Sequence, residues 1–445
     1  MIEVNFNSLE IANAINGILV GKNEIIKSIM LDSREKSTEN ACFFAIKGKN
    51  FNGNSYIKEA LKNGARLVVT EEKPSLDQIS YILVEDVIKA IGLLGKYNSK
   101  KTKIIAVTGS AGKTTTKEMI KYILKEKYSV IATRSNENNE IGVAKTLLSI
   151  KDHDFCIVEM GMRAKGEIEY LAKLCKPYIS VITNCGSAHL QYLGSTEDIF
   201  KAKCEIIPYT QKYCIVPNEK RFKNLSYENP TMIFAGASGD YELFDQSFYN
   251  NGIKFKVRDN NHNIISEDLF CDAFGIYNAQ NALNAYIIGQ LCGVNEIYIK
   301  RGFFNFKGCD MRGKVSVING ITIIEDCYNC SYEGMKNAIF SLNEYSKENL
   351  KKPYILVGDM LEIGNDSEEY HFRIGEYAKD LGIKNVFSYG MFSKSILDGF
   401  CGGKEFKDKK DIAPHLLNVL GEDDVLLVKA SRGAHFENII SEMKV

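Results

Sequence analysis

The segment KIIAVTGSAGKTTTKEMIKYILKEK, residues 103–127, restricts this chain more than any other stretch. Ile104 to Val107 is a β-branched apolar run with the length of a buried strand. Gly109, Ser110, Ala111 and Gly112 then turn the chain, and Lys113, Thr114 and Thr115 open a segment with Met119, Ile120, Ile123 and Leu124 at helical spacing. The order strand, glycine-rich loop, helix suits phosphate. Small residues let backbone N–H groups approach the oxygens, and the helix N-terminus adds partial positive charge. Lys113 reaches the outer phosphates, and the Thr114 hydroxyl can hold Mg²⁺. The string Gly-x-x-Gly-Lys-Thr is shorter than the common P-loop, but between a strand and an amphipathic helix it predicts nucleotide binding rather than a plain turn.

A chain of 445 residues is too long for one ordinary domain, and its 45% hydrophobic and 25% charged fractions are those of a globular protein. Lys+Arg and Asp+Glu are both 56, so nothing in the balance points to nucleic acid or an anionic membrane surface. The opening MIEVNFNSLEIANAI has no basic cluster or long apolar core, and no later run reaches the ~18 apolar residues of a membrane span. A cytoplasmic protein is expected. The 12 cysteines are scattered except for Cys327-Tyr328-Asn329-Cys330, and one such pair without a second pair or a nearby histidine reads as reduced core thiols rather than zinc.

Residues 1–98 read as a small α/β domain, with strands at Phe43–Ile46, Leu67–Val69 and Tyr81–Val84 and a helix at Tyr56–Lys62. The polar break Tyr97 to Thr102 reads as a linker into a central domain, residues 99–311. There three apolar runs end in polar groups. Val130 to Ala132 leads into Thr133 to Asn139, Phe155 to Val158 ends at Glu159, and Ile179 to Ile182 ends at Thr183-Asn184, with His189 beyond. Ligands of open α/β sheets sit outside the carboxyl ends of strands, so these groups are expected beside the phosphate loop. Glu159 stands where an NTPase carries the acid for Mg²⁺.

Ser195 and Asp198 resemble a capping box, after which Ile199, Phe200, Ala202, Ile206 and Ile207 mark the buried side of a helix. Lys203 falls on that side. An unpaired ammonium there is costly or loses its proton. Spacing alone leaves two readings, a lysine whose head snorkels to water and one placed to meet phosphate or, once modified, metal.

Residues 213–257 are β-rich and polar, helices are expected at Asn278–Cys292 and Asn295–Phe306, and Lys307 to Gly313 reads as a second linker. The third domain, 312–445, alternates again. Lys314–Ile318 and Ile321–Ile324 flank Asn319-Gly320, the favoured type I′ hairpin pair. Strands at Tyr354–Val357, Asn385–Ser388 and Val425–Val428 alternate with helical segments, and Asp326, Asp359 and Lys429 stand at strand ends.

These residues resemble the Mur ligase family over essentially the whole chain. TGSAGKTTTKE is similar to its ATP loop. SNENNEIG at Ser135 to Gly142, VEMGMRAKGEI, ITNCGSAHLQYLGS and KAKCEI follow in the family's order, as do VGDMLEIG, His371 and VKASRG in the last domain. The resemblance implies a three-domain α/β fold: a small N-terminal domain, a central P-loop ATP-binding domain and a Rossmann-like C-terminal domain. It implies an ATP- and Mg²⁺-dependent amide ligase of peptidoglycan precursor synthesis, joining UDP-N-acetylmuramoyl tripeptide to D-Ala-D-Ala through an acyl phosphate. Such an enzyme would be a monomer with small-molecule substrates only.

Carried over by that resemblance, Gly109 to Thr115, Asn281, Arg312, Asp326, Tyr328 and Asn329 would bind ATP, with Lys113, His189 and Lys203 catalytic. Thr114, Glu159, His189 and a carbamylated Lys203 would hold metal. Ser33, Arg34, Asn136, Asn138, Asn139, Ser431 and Arg432 would bind substrate. The chain departs from the family at Asn52 and Asn54, at Tyr277, at Cys330-Ser331-Tyr332 and at Ala430, all outside the phosphate and metal set. Three further readings stay open: a Mur-type ligase recruited to another carboxylate and amine, a non-catalytic nucleotide-binding relative, and a P-loop kinase or switch NTPase.

Overall fold

The computed structural model describes residues 1–48, 50–76, 78–186, 194–361, 363–364 and 366–444. The described strands form three sheets, and the chain gathers into two compact units, with the strand Lys103–Thr108 divided between them. One unit comprises Met1–Ala106, Tyr128–Gly161 and Glu169–Tyr178; the other comprises Val107–Lys127, Met162–Ile168 and Ile179–Val445.

The first unit contains a six-stranded sheet in the order Ile2–Asn7, Ile25–Met30, Ala41–Phe44, Ala65–Thr70, Ser80–Leu83, Ile18–Val20. Its inner pairs are parallel and its two outer pairs antiparallel. The first strand runs straight into the helix Ser8–Ala14 because Asn7 and Glu10 close a reciprocal capping box. The same unit holds Phe155–Glu159, paired in parallel with Val130–Ala132.

One sequence expectation is corrected here. Tyr97 and Asn98 do not begin a linker; they end a helix, Val87–Asn98, which buries Val87, Ala90, Ile91 and Leu94. Gly95 lets this helix lie against Glu140–Leu148, since a Cβ there would come within 3.1 Å of the Ala144 carbonyl. The Asn98 amide then donates to the carbonyls of Leu147, Leu148 and Ile150 at 2.9, 3.1 and 2.9 Å. The first two belong to the last turn of the helix Glu140–Leu148, whose carbonyls lack i+4 partners, and the third lies just past its cap. Polar residues that read as a solvated break are in fact a docking point.

In the second unit Ile179–Ile182, Tyr213–Pro217 and Thr231–Ala235 run parallel, and Tyr241–Tyr249 with Gly252–Asp259 adds an antiparallel ribbon. The helix Lys113–Lys125 buries Met119, Ile120, Ile123 and Leu124, as its spacing predicts. Glu296–Asn305 crosses it closely, a Cβ on Gly302 being only 2.6 Å from the Ile123 Cα. A six-stranded sheet follows, in the order Lys314–Ile318, Ile321–Glu325, Asp424–Lys429, Lys352–Val357, Asn385–Ser388, Lys404–Glu405, parallel after its first hairpin. Asn319 and Gly320 have φ of 49° and 84°, the two positive values a type I′ turn requires.

The cysteines form no disulfide: nine are buried, Cys292 and Cys309 are half-buried, and Cys401 is exposed with the Lys379 ammonium donating to its sulfur. Cys327 and Cys330 enter different apolar clusters, so the Cys-x-x-Cys pair serves the core as expected.

Replacing Asn98 by Ala removes three hydrogen bonds to carbonyls, and a loss of about 1–3 kcal/mol is expected. Urea denaturation checks this; an unchanged midpoint would show that water replaces the amide without cost.

Candidate active site

The phosphate loop has a conformation that only small residues allow. Gly109 and Gly112 have φ of +148° and +80°. A Cβ on Gly109 would lie 1.9 Å from Thr183 Oγ1, and one on Gly112 would lie 2.2 Å from Asn281 Oδ1. The strand end Thr183-Asn184 clamps the loop from one side. Thr183 Oγ1 and Asn184 Nδ2 donate to the Ala111 carbonyl at 2.5 and 3.0 Å, and Asn184 Oδ1 accepts the Ala111 N–H at 3.0 Å. Ser110 donates from Oγ to the Gly186 carbonyl at 3.1 Å. On the other side Asn281, from the helix Tyr277–Leu291, accepts from Thr116 Oγ1 at 3.2 Å and donates to Asn278. Lys113 Nζ donates to the Gly109 carbonyl at 2.8 Å, and Thr114 and Thr115 are buried behind it in the first helical turn.

Lys203 lies on the helix Thr196–Cys204, whose N-terminus Ser195 caps through the Asp198 N–H. It is 1% exposed, so it does not snorkel. Burial and the like charge of Lys113, against a small opposing effect of the Cys185 thiol, bring its amine down to about 7. A buried lysine that is half deprotonated near neutrality is a nucleophilic amine rather than a fixed cation. His189 lies outside the described residues.

In the first unit Glu159 closes its strand 2% exposed. Its N–H donates to Thr133 Oγ1 at 3.1 Å, and its Oε1 accepts from Asn138 Nδ2 at 2.9 Å. Of the other asparagines in that stretch, Asn139 caps the helix Glu140–Leu148 by accepting the Gly142 N–H at 2.9 Å, and Asn136 is exposed.

The last sheet collects a further group. The Arg312 guanidinium lies 3.8 Å from the centre of the Tyr328 ring. Lys429, buried at its strand end, bonds the Asp326 carboxylate at 2.7 Å and the Asn329 carbonyl at 3.2 Å. Burial would lower this ammonium, but the Asp326 carboxylate together with Cys330 and Cys327 outweighs it and the net shift is upward. Ser431 Oγ accepts the Leu361 N–H at 2.9 Å, and Arg432 pairs with Glu437.

Three sequence profiles match this chain: Mur ligase middle domain at residues 107–289, Mur ligase glutamate ligase domain at 311–432, and Mur ligase family catalytic domain at 25–135. It is 33% identical to the UDP-N-acetylmuramoyl-tripeptide–D-alanyl-D-alanine ligase of Bacillus subtilis (strain 168), over 97% of each chain. The chain belongs to the Mur ligase family. A crystal structure of MurF from Acinetobacter baumannii superposes with a TM-score of 0.91 at 26% identity, covering the whole of both chains. The MurF ligase of Thermotoga maritima, in complex with ADP, gives 0.84 at 27% identity over 94% of this chain and 97% of that one. The three-domain α/β fold of those ligases is the fold of this Mur ligase.

Within the Mur ligase frame the sequence departures acquire structural roles. Asn54 accepts from Thr70 Oγ1 and donates to Glu72, each at 2.8 Å, and Asn52 caps the turn Gly53–Tyr56. Ser331 caps the helix Tyr332–Glu348. Ser33 donates to Glu59, while Arg34 forks onto Asp32 and helps hold that carboxyl down at about 2. Sequence reasoning missed the clamping role of Asn184 and the lysine anchor under Asp326. Both were visible only as polar residues at strand ends, with no periodicity to name their partners.

The unfolded chain holds a proton on Lys203 that the folded chain releases from about pH 7 upward, so folding stability rises with pH from about 7 to about 10. In carbon-dioxide-free buffer, wild type should gain on Lys203→Met across that window, read by urea midpoints at each pH. A constant difference between the two would place the lysine in water.

Proposed function

We propose that this Mur ligase joins UDP-N-acetylmuramoyl tripeptide to D-Ala-D-Ala at the expense of ATP, in three domains bounded at 1–98, 99–311 and 312–445. The observation that carries the reading is the full-length likeness to D-alanyl-D-alanine ligases, together with a phosphate loop whose two left-handed glycines are locked by Thr183, Asn184 and Asn281.

The loop N–H groups and Lys113 would hold the ATP phosphates, and Arg312, Asp326, Tyr328 and Asn329 the nucleoside side. The tripeptide carboxylate attacks the γ-phosphorus in line; the bond to the ADP oxygen breaks and an acyl phosphate forms. The Lys113 cation faces charge that grows during this step. The D-Ala-D-Ala amine then attacks the acyl carbon, and the tetrahedral adduct expels phosphate as the nitrogen loses a proton. Ser33, Arg34 and Asn136 are proposed for the nucleotide substrate, and Ser431 and Arg432 for the dipeptide.

The residues present fit magnesium. Each unit carries oxygen donors for it: the Thr114 hydroxyl in the second and the buried Glu159 carboxylate in the first. The neutral Lys203 amine can add carbon dioxide, forming an N–C bond and releasing a proton, to give a carbamate oxygen donor; His189 belongs to this set by resemblance. Hydroxyl, carboxylate and carbamate oxygens are the hard donors magnesium takes. Magnesium there would neutralise phosphate charge. No helix among the described residues is long and apolar enough to cross a membrane. Soluble nucleotide-linked substrates suit a cytoplasmic monomer.

Release of ADP over a panel of nucleotide-linked acids and amines tests the assignment. The tripeptide nucleotide with D-Ala-D-Ala should give the highest kcat/KM, and Lys113→Ala should reduce it by about 10² or more. Turnover only with a different acid and amine would make the protein a Mur ligase recruited to other substrates, and phosphate release without an amine would make it a plain NTPase.

Lys203→Ala should fall to background, and formate or acetate at millimolar concentration should restore part of the rate by supplying the missing anion. Full activity of the variant without added carboxylate would remove the carbamate from the mechanism.

A further inference from the structure

The asparagines of SNENNEIG have separate structural situations, and one of them is tied to an acid. Asn139 is committed to its helix cap. Asn138 is held at three points. Its carbonyl accepts the Gly161 N–H at 2.9 Å. Its amide lies over Gly161, where a Cβ would stand 2.7 Å from Oδ1 and 2.8 Å from Cγ. Its Nδ2 donates to Glu159 Oε1 at 2.9 Å.

A neutral amide is well suited to such a task. It fixes the rotation of the carboxylate plane through one oxygen and, unlike a lysine or arginine, brings no positive charge of its own. The Thr133 hydroxyl holds the Glu159 backbone from the other end at 3.1 Å, so main chain and carboxylate are both fixed. Gly161 belongs to the same device, because any side chain there pushes on the far end of a short, movable amide and not on backbone.

We propose that Asn138 acts in the reaction as a positioning residue for Glu159, turning its carboxylate toward the divalent cation, and does not work by touching the muramyl substrate. The inference rests on the reading of Glu159 as a magnesium ligand. Partners that orient a metal ligand typically change metal affinity by about 10–100-fold when removed.

The test is Mn²⁺ titrated into ADP-saturated protein and read by electron paramagnetic resonance, beside the KM for the tripeptide nucleotide. Asn138→Ala and Gly161→Ala should each weaken Mn²⁺ binding by about tenfold, with that KM within about twofold of wild type. Gly161→Ala keeps every asparagine in the sequence and moves only the amide, so it carries the test if Asn138→Ala folds poorly. Glu159→Ala is the reference. If it loses Mn²⁺ affinity while Asn138→Ala and Gly161→Ala keep theirs, Asn138 does not position the acid. A raised KM with unchanged Mn²⁺ affinity would make it a substrate contact instead. If Glu159→Ala itself binds Mn²⁺ as wild type does, the magnesium reading of Glu159 falls and this inference with it.

Discussion

Two left-handed glycines govern the loop that precedes the helix Lys113–Lys125. Gly109 and Gly112 hold the loop open only because no side chain fills the space that Thr183 and Asn281 occupy. That makes the loop the meeting point of three elements: the strand that ends in Thr183-Asn184, the helix Lys113–Lys125, and the helix that carries Asn281. Thr183, Asn184 and Lys113 give the loop side-chain hydrogen bonds, and Asn281 fills the space beside Gly112. A loop already folded in this way spends little ordering entropy when phosphate arrives.

The buried lysines illustrate how partner choice, and not burial alone, decides what an amine can do. Lys203 and Lys429 are 1% and 3% exposed. Burial, with the like charge of Lys113 added to it, draws Lys203 toward neutrality; Lys429 has the Asp326 carboxylate against it and is held charged. One is thereby left chemically available. The other becomes a fixed post under the loop Asp326 to Asn329, steadying it through a carboxylate and a carbonyl at once.

Legibility in the sequence followed the range of the interactions. The strand, loop and helix order of residues 103–125, the Asn319-Gly320 hairpin and the helix side on which Lys203 falls were readable because each is set by neighbours within a few residues. The helix Val87–Asn98 was not, because the polar run Tyr97 to Thr102 reads as a break until the Asn98 amide is seen on the carbonyls of Leu147, Leu148 and Ile150. The same holds for the site. Lys113, Thr114 and Glu159 announce themselves by type and place, whereas the Asn184 clamp joins residues far apart in the chain, and the different duties of Asn138 and Asn139 depend on where Gly161 and Gly142 fall in space. The family resemblance named the asparagines, and geometry separated them.

The distribution of thiols has a practical side. Nine cysteines are buried and two half-covered, while Cys401 stands alone in solvent at the end of the helix Ser393–Phe400. Maleimides and iodoacetamides reach an exposed thiol first, and buried thiols stay inert. Under brief, mild alkylation the native protein therefore offers a built-in attachment point for a single fluorophore or spin probe on the last domain. No cysteine need be engineered in or out, and the phosphate loop stays unmarked.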